Sequence, residues 1–299
     1  MASGLLLIIG LSAGYFWLFL DGGAYSSSAY TLDIGAVRKA AAAIDGARAT
    51  DIQVETISHM AVPETVMVAG TSWQRVDLVR VAYRVVLPDQ SIIIDTAYDA
   101  ETARKSGVDR YDDDAWRRLQ GAMRSASHIV VTHEHADHIG GLLASPYWRD
   151  VLPKALITDA QFDNAQASRP ATWPEGSRAG FKPLHYDDLL PIAPGVVLIK
   201  APGHTPGSQM IYVQRADGQE YLFMGDVASM LDNVGRASIR SHFVTNFISH
   251  DDRATVVAET QALHRLATAE PNIALVPGHD GAAIAALADR KLLTNGFTP

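Results

Sequence analysis

Near the middle of the chain, four side chains that can bind divalent metal ions lie within six consecutive residues. The segment reads HEHADH over positions 133–138 and follows directly on the apolar run 128–132. Because His133 and His135 are two residues apart, both point the same way in an extended loop, and the two residues that end the cluster can point to a second position beside them. Imidazole and carboxylate suit zinc and other first-row divalent ions when cysteine is absent. The cluster therefore predicts a metal-binding loop at the end of a buried strand.

Three other apolar runs end in single residues of the same types. His204 and His279 each follow a Pro-Gly pair, and Asp226 follows Gly225. Glycine ahead of a ligand has no Cβ and permits a tight turn. One histidine in such a turn is usually just a polar loop residue, but together these residues complete a set for two metal ions. The predicted ligands are five histidines and two aspartates, namely His133, His135, Asp137, His138, His204, Asp226 and His279.

The segments between these residues must form the elements that bring them together. Alternating and continuous apolar runs predict strands that end at the ligand residues, and longer segments with charged ends predict helices between them. This order favours an α/β fold in which two sheets pack together and helices cover the outside. The predicted strands are residues 51–58, 76–87, 91–95, 128–132, 155–158, 196–200, 210–214, 221–224 and 272–276, and the predicted helices are 35–48, 112–124, 253–269 and 282–293.

Composition limits the class of protein. The chain has 299 residues, of which 47% are hydrophobic, and this suffices for a sizeable core. The net charge of −8 repels polyanions, and the basic residues are scattered, so no nucleic-acid partner is expected. The absence of cysteine excludes disulfides and thiolate metal sites.

The N-terminal segment differs from the rest of the chain. Residues 1–20 contain no charged side chain, and a helix needs about 20 apolar residues to cross a bilayer. We predict a transmembrane anchor or signal segment at 1–20, a linker with a short helix at 21–50, and the main domain at 51–299. The weak positive charge after the segment favours a membrane-anchored protein whose body is periplasmic or extracytoplasmic. An exported soluble form and a buried N-terminal helix are the alternatives.

The ligand motifs resemble those of the metallo-β-lactamase superfamily. The shared features are His-x-His-x-Asp-His at 133–138, Pro-Gly-His-Thr-Pro-Gly at 202–207, Gly-Asp at 225–226 and Pro-Gly-His at 277–279, in the order of that family. The resemblance implies a four-layer αβ/βα sandwich of two mixed sheets with a dinuclear metal site at one edge, and it matches Asp95 to a structural aspartate. It also implies that His133, His135 and His204 hold one ion, that Asp137, His138 and His279 hold the second, and that Asp226 bridges both.

A two-metal site of this kind predicts a hydrolase. Two divalent ions, which we expect to be Zn²⁺, lower the pKa of a shared water, and the bridging hydroxide attacks an ester, lactone or related carbonyl. Asp137 and Asp226 are the predicted catalytic residues, with Asp137 as the proton shuttle. The alternatives are β-lactam or phosphodiester hydrolysis, and a single-iron oxidoreductase on the same fold.

The compact form of the chain is similar to that of acyl-homoserine lactonases and generic esterase-like members. Those lactonases carry a tyrosine three residues after the bridging aspartate, where this chain has Ser229. The departure leaves the small-molecule substrate open. Ser229 and Asn246 are the predicted substrate-binding residues, and Glu134 is predicted to point away from the metals.

Overall fold

The computed structural model describes residues 2–23 and 26–298. These residues form two β-sheets, both mixed, whose strands follow the predicted order along the chain. The first sheet has the strand order β11-β1-β2-β3-β5, with β4 paired to β1, and the second has the order β10-β9-β8-β7-β6. The strands are β1 (Asp51–Pro63), β2 (Arg75–Val86), β3 (Ser91–Ile94), β4 (Arg110–Tyr111), β5 (His128–Val130), β6 (Leu189–Ala193), β7 (Val196–Lys200), β8 (Gln209–Gln214), β9 (Glu220–Gly225), β10 (Ala274–Pro277) and β11 (Thr294–Asn295).

Helices precede, connect and flank the strands, and some of them pack on the outer faces of the sheets. They are α1 (Ala2–Tyr15), α2 (Ile34–Ala41), α3 (Glu64–Met67), α4 (Ala100–Lys105), α5 (Asp113–Ser125), α6 (Ala136–Leu143), α7 (Trp148–Val151), α8 (Asp159–Asp163), α9 (Leu231–Arg236), α10 (His242–Phe247), α11 (Arg253–Ala269) and α12 (Gly281–Asp289), with a π-helix at Phe16–Leu20 and 3-10 turns at Leu152–Lys154 and Ala165–Ser168. The side chain of Asp112 caps α5, accepting from the backbone N–H groups of Asp114 and Ala115. Acidic residues in the first turn and Arg124 in the last complement the helix dipole, as the sequence predicted.

Three layers of buried apolar side chains hold these elements together. Residues such as Val81, Ile94 and Phe223 fill the space between the two sheets. Leu119 of α5 packs on the outer face of the first sheet, and Leu263 of α11 packs on the outer face of the second. The predicted four-layer αβ/βα sandwich is therefore confirmed.

Some local predictions differ from the structure. Residues 155–158 do not form a strand; Ala155 and Thr158 make only isolated bridges. Strand β6, which no alternating pattern indicated, pairs with β7 and closes the edge of the second sheet. The short helix predicted at 35–48 within the linker 21–50 forms as α2 but ends at Ala41, and it packs on the second sheet through Val37 and Ala41.

The N-terminal segment is helical from Ala2 to Leu20. Within residues 2–23 and 26–298, no helix combines the length and apolarity needed to cross a bilayer, so the predicted transmembrane helix is not supported. The predicted extracytoplasmic location of the body stays a prediction.

Candidate metal centre

All seven predicted ligands meet at one edge of the two sheets. The segment that holds His133 and His135 leaves the end of β5, and α6 begins at Ala136, directly after it. His204 lies in the loop between β7 and β8, Asp226 directly follows β9, and His279 follows β10. Loops from both sheets thus contribute to one site, because the strands that precede the ligands end at the same edge.

The first group of ligand atoms consists of three imidazole nitrogens. Nδ1 of His135 lies 3.1 Å from Nε2 of His133 and 2.9 Å from Nε2 of His204. His133 and His204 are buried. Three ring nitrogens that converge in this way offer their lone pairs to one cation.

The second group combines two imidazoles with a carboxylate. Nε2 of His138 lies 3.2 Å from Nε2 of His279, and Oδ2 of Asp137 lies 3.6 Å from the same His279 nitrogen. His138 and His279 are buried. These atoms face a position beside the first group rather than within it.

Asp226 lies between the two groups. Its Oδ2 is 3.6 Å from Nε2 of His204 in the first group, and its Oδ1 is 3.0 Å from Nε2 of His279 in the second. Oδ1 is buried and has no hydrogen-bond partner among the described residues. A buried carboxylate oxygen without a donor is costly unless a cation compensates it. The donor set and this unpartnered oxygen therefore fit two divalent ions that share Asp226.

The far side of each ring is fixed by a second partner. Nδ1 of His138 lies 2.9 Å from Oδ2 of Asp95, and Nδ1 of His279 lies 2.9 Å from the backbone oxygen of Val79. The carbonyl oxygen of Val79 only accepts, so Nδ1 of His279 carries the proton and its Nε2 lone pair faces the site. Partners of this kind set the tautomer and the orientation of metal-binding histidines.

Asp95 adopts a backbone conformation that fits this role. Its φ is 59°, in the left-handed region that aspartate tolerates better than most residues. The backbone N–H of Thr132 donates to Oδ1 of Asp95 at 2.6 Å, and the Thr132 hydroxyl donates to Oδ2, the oxygen that also contacts His138, at 2.9 Å. The strand end that precedes the metal cluster is thereby tied to the end of β3.

His204 is held by a buried pair of charges. Oδ1 of Asp251 lies 3.0 Å from Nδ1 of His204, and its Oδ2 accepts from Nη2 of Arg240 at 2.8 Å. Nη1 of Arg240 donates to Oγ of Ser229 at 2.6 Å and lies 3.4 Å from Oδ2 of Asp226. Arg240 therefore balances the charge of two carboxylates, one of which is the shared ligand.

Two further contacts hold the metal cluster itself. Arg80 of β2 donates from Nε to Oδ2 of Asp137 at 2.9 Å. Glu134 is fully buried, where it accepts from Asn164 and Thr205. Glu134 points away from the ligand atoms, as predicted, and links the cluster to the loop that carries His204.

Charge in the site separates the histidines into two kinds. Burial lowers the pKa of His135 to about 3, with His204 adding to the effect, so this ring is a neutral ligand. Burial also lowers the pKa of His138, but Asp95 and Asp137 outweigh it and raise the value to about 9. Binding of a cation at His138 must therefore displace a proton.

A model of the metallo-β-lactamase superfamily matches residues 75–279, more than two thirds of the chain. The chain belongs to the metallo-β-lactamase superfamily. The match confirms the resemblance found in the sequence and, at the level of the family, the prediction of a metal-dependent hydrolase. No curated protein sequence matches this chain.

Solved structures share the fold of this metallo-β-lactamase-superfamily chain. An N-acyl homoserine lactone hydrolase with N-hexanoyl-L-homoserine at its metal centre superposes with a TM-score of 0.62 at 16% identity, over 80% of this chain and 96% of that one. A probable metal-dependent hydrolase from Staphylococcus aureus gives 0.59 at 15% identity, over 78% and 91%. AidC, a dizinc quorum-quenching lactonase, gives 0.52 at 16% identity, over 76% and 86%.

A cavity of about 360 Å³ opens beside the ligand atoms. Its lining combines candidate ligand residues with Arg80, Arg169 and Arg240 and with several apolar side chains. The two predicted substrate-binding residues lie outside the cavity lining. Ser229 is buried behind Arg240, and Asn246 is exposed on α10. Their role stays a prediction. The apolar lining consists of Met60, Val62, Val66, Met67, Leu78, Ala136, Ala167, Pro170, Val244 and Ile248.

The sequence did not reveal Arg80, Arg240 or Asp251 as parts of the site. Arg80 is a charged residue within an apolar strand pattern. The sequence does not show that it is buried, because its partner, Asp137, is far away along the chain. Asp251 has the pattern of a helix cap, but the residue that caps α11 is Asp252. Their partners lie 11 to 57 positions away along the chain, and no local sequence pattern links such pairs.

Proposed function

We propose that this chain is a dinuclear metal hydrolase, with Zn²⁺ as the expected ion, that acts on an ester or lactone carbonyl. The observation that carries the proposal is Asp226, whose two oxygens face the two ligand groups and leave Oδ1 without a protein donor. His133, His135 and His204 would hold one ion; Asp137, His138 and His279 would hold the other.

The bound ions would supply a water activated near neutral pH and a Lewis acid for the substrate oxygen. The residues of the chain do the rest. Asp251, Asp95 and the backbone oxygen of Val79 hold three imidazoles so that their Nε2 atoms face the site. The apolar residues of the cavity lining exclude water from the substrate and favour a substrate with a hydrocarbon part.

Asp137 is placed to move a proton. Burial raises its pKa, but His138, Arg80 and His279 outweigh burial and hold the pKa well below its usual range. Oδ2 of Asp137 is paired with Arg80, while Oδ1 is 3.9 Å from His138. An ionised Asp137 would take up the proton of the attacking water at Oδ1 and pass it to the leaving alkoxide as the acyl–oxygen bond breaks.

A combined metal and turnover assay tests the proposal. The zinc-loaded protein is assayed against a lactone panel, aryl esters, a phosphodiester and a cephalosporin, with metal content measured on the same sample. We expect about two zinc ions per chain and turnover of lactones or esters. His135→Ala and Asp137→Ala should abolish turnover, whereas His185→Ala, a change at an exposed histidine paired with Asp159, should not. Full activity in both ligand variants, or one iron per chain, contradicts the proposal.

A further inference from the structure

Helix α1 exposes apolar side chains around its whole circumference. Leu6 is 70% exposed, Ile8 is 62% exposed and Leu11 is 66% exposed. The helix carries no charged residue that would favour contact with water. A Cβ built on Gly4, Gly10 or Gly14 would meet open space, so α1 stands clear of the body at these positions. A helix that is apolar all round is stable only in apolar surroundings.

The base of α1 is fixed to the body by a group of aromatic rings, which we call the aromatic collar: Tyr15, Trp17, Phe19, Trp73 and Phe243. The Phe19 ring lies 5.0 Å from that of Trp73 and 6.1 Å from that of Phe243. Trp73 donates from Nε1 to the Tyr15 hydroxyl at 2.9 Å. Trp17 stacks on His242 at 4.5 Å. Rings with an apolar body and a polar edge are those that concentrate at the membrane–water interface.

The segment 19–21, which follows α1, is held to the body by hydrogen bonds, so the fold sets the direction of α1. Oδ2 of Asp21 lies 2.9 Å from Nε2 of His242, and Arg253 donates to the backbone oxygen of Asp21. The backbone oxygen of Phe19 accepts from the N–H of Gly70 at 3.0 Å. The junction is a docked segment rather than a loose tether.

The exposed apolar surface continues from the collar along α10 to the active-site cavity. Phe247 is 61% exposed and Ile248 is 60% exposed. Ile248 and Val244 also line the cavity that contains the metal ligands. The collar, the exposed end of α10 and the apolar wall of the cavity are therefore one connected surface.

From this continuity we infer that the protein docks on the surface of a lipid bilayer, with α1 inserted, the collar at the headgroup level and the exposed end of α10 against the lipid. The cavity then opens toward the bilayer and admits a substrate whose acyl chain is dissolved in it. The docking is independent of the proposed hydrolysis, whereas the entry of the acyl chain rests on it.

Lipid fits this surface better than a protein groove does. A groove covers one side of a helix, whereas the exposed leucines and isoleucines of α1 lie on every side. With about 1.5 Å per residue, the 14 residues of α1 extend about 21 Å, whereas the hydrocarbon layer of a bilayer is about 30 Å thick. Helix α1 can therefore enter the hydrocarbon layer from one side without crossing it. Since no side chain of residues 2–20 is charged, insertion costs no desolvation of ionised side chains.

Flotation of the full chain with zwitterionic phosphatidylcholine vesicles tests docking without any activity measurement. The double variant Leu7→Lys/Leu11→Lys should lower the vesicle partition coefficient by about tenfold or more, because lysine opposes insertion. Phe247→Asp should lower the partition coefficient roughly tenfold, because it removes one ring that would be buried in the lipid. Leu231→Asp is the matched control, since Leu231 is a 40% exposed apolar residue outside the surface.

Quenching of tryptophan fluorescence by brominated lipid locates the collar. We expect vesicle quenching to fall when Trp73→Phe removes the collar ring and to stay unchanged in Trp148→Phe, on α7. Equal quenching in both variants, or binding that Phe247→Asp leaves at the wild-type level, overturns the proposed orientation. A chain that self-associates and does not float with vesicles shows that a second copy covers α1, and this also overturns the inference.

Catalysis supplies a separate readout. With a short-chain soluble ester, Phe247→Asp should match the wild type, and with a long-chain ester embedded in vesicles its rate should fall roughly tenfold. If the soluble ester is turned over but the wild-type chain does not float, the docking is wrong and the proposed hydrolysis stands. If the wild-type chain floats but neither ester is turned over, the proposed hydrolysis fails while the docking stands.

Discussion

Glu259 of α11 is fully buried beside the loop that carries His204, and we expect it to make stability depend on pH. Its Oε1 accepts from the backbone N–H of Gly203 at 3.0 Å, and its Oε2 has no partner among the described residues. Burial raises the pKa of Glu259 to about 8, and the carboxylates of Asp252 and Asp251 add to this effect. The folded protein therefore holds a proton on Glu259 at a pH where the unfolded chain has lost it.

The direction follows from this difference in bound protons. Between the ordinary pKa of 4.5 and the folded value of about 8, the folded state binds more protons than the unfolded state, so the free energy of unfolding falls as pH rises. One pH unit corresponds to about 1.36 kcal/mol, so about 2.7 kcal/mol is lost between about pH 5.5 and about pH 7.5. Glu259→Gln keeps an acceptor for Gly203 and carries no titrating proton. The difference in the free energy of unfolding between Glu259→Gln and the wild type should therefore rise in favour of the variant by about 2.7 kcal/mol between about pH 5.5 and about pH 7.5.

Urea unfolding at the two pH values, with chelator present, measures the effect. The relevant quantity is the difference between variant and wild type at one pH minus the same difference at the other, because the remaining titrating groups cancel. Glu101→Gln, a change at an exposed residue paired with Lys105, serves as the control and should change stability by less than about 0.5 kcal/mol at either pH. A Glu259→Gln difference that is the same at both pH values would show that Glu259 is ionised in the folded protein, and the reasoning fails.

Three further changes test the metal centre. Asp226→Ala removes the shared carboxylate, so metal content by mass spectrometry should fall from about two ions to at most one per chain; unchanged content contradicts the shared role. Asp251→Asn weakens the hold on His204 and should lower zinc affinity by about 10- to 100-fold in chelator competition, and an unchanged affinity would mean that Asp251 does not position the ring. Gly278→Ala places a Cβ 2.5 Å from Oδ1 of Asp226 and should lower both the melting temperature and the zinc content, whereas Gly121→Ala, in open space on α5, should lower neither.

The fold was predictable where a local pattern carried the information. The hairpin of β2 and β3 and that of β8 and β9 follow from alternation and turn residues, and both are confirmed by their antiparallel pairing. The predicted strand at 155–158 was wrong because a four-residue apolar run also suits an irregular buried segment. Strand β6 contains Pro191 and has a register shift, so no alternating pattern marks it.

The site was predictable because its ligands are concentrated in short motifs at strand ends. The local spacing brings His133 and His135 together, and the sheets bring in His204, Asp226 and His279. The residues that support the ligands were not predictable in the same way. Arg80 and Asp137 are 57 positions apart, and their pairing depends on the fold that brings β2 close to the start of α6.

The supporting contacts also explain why metal binding and folding should be coupled in this protein. The partners behind the ligands come from different segments: Asp95 from the end of β3, Val79 from β2 and Asp251 from the turn before α11. Each imidazole keeps its orientation only while its segment is in place, and an ion that binds several imidazoles favours the arrangement in which all of these segments are docked. Without the ion, Oδ1 of Asp226 remains a buried oxygen with no donor, which disfavours that same arrangement. We therefore expect the ligand residues to stabilise the fold only when metal is bound, because the contacts behind them favour the geometry that binds it.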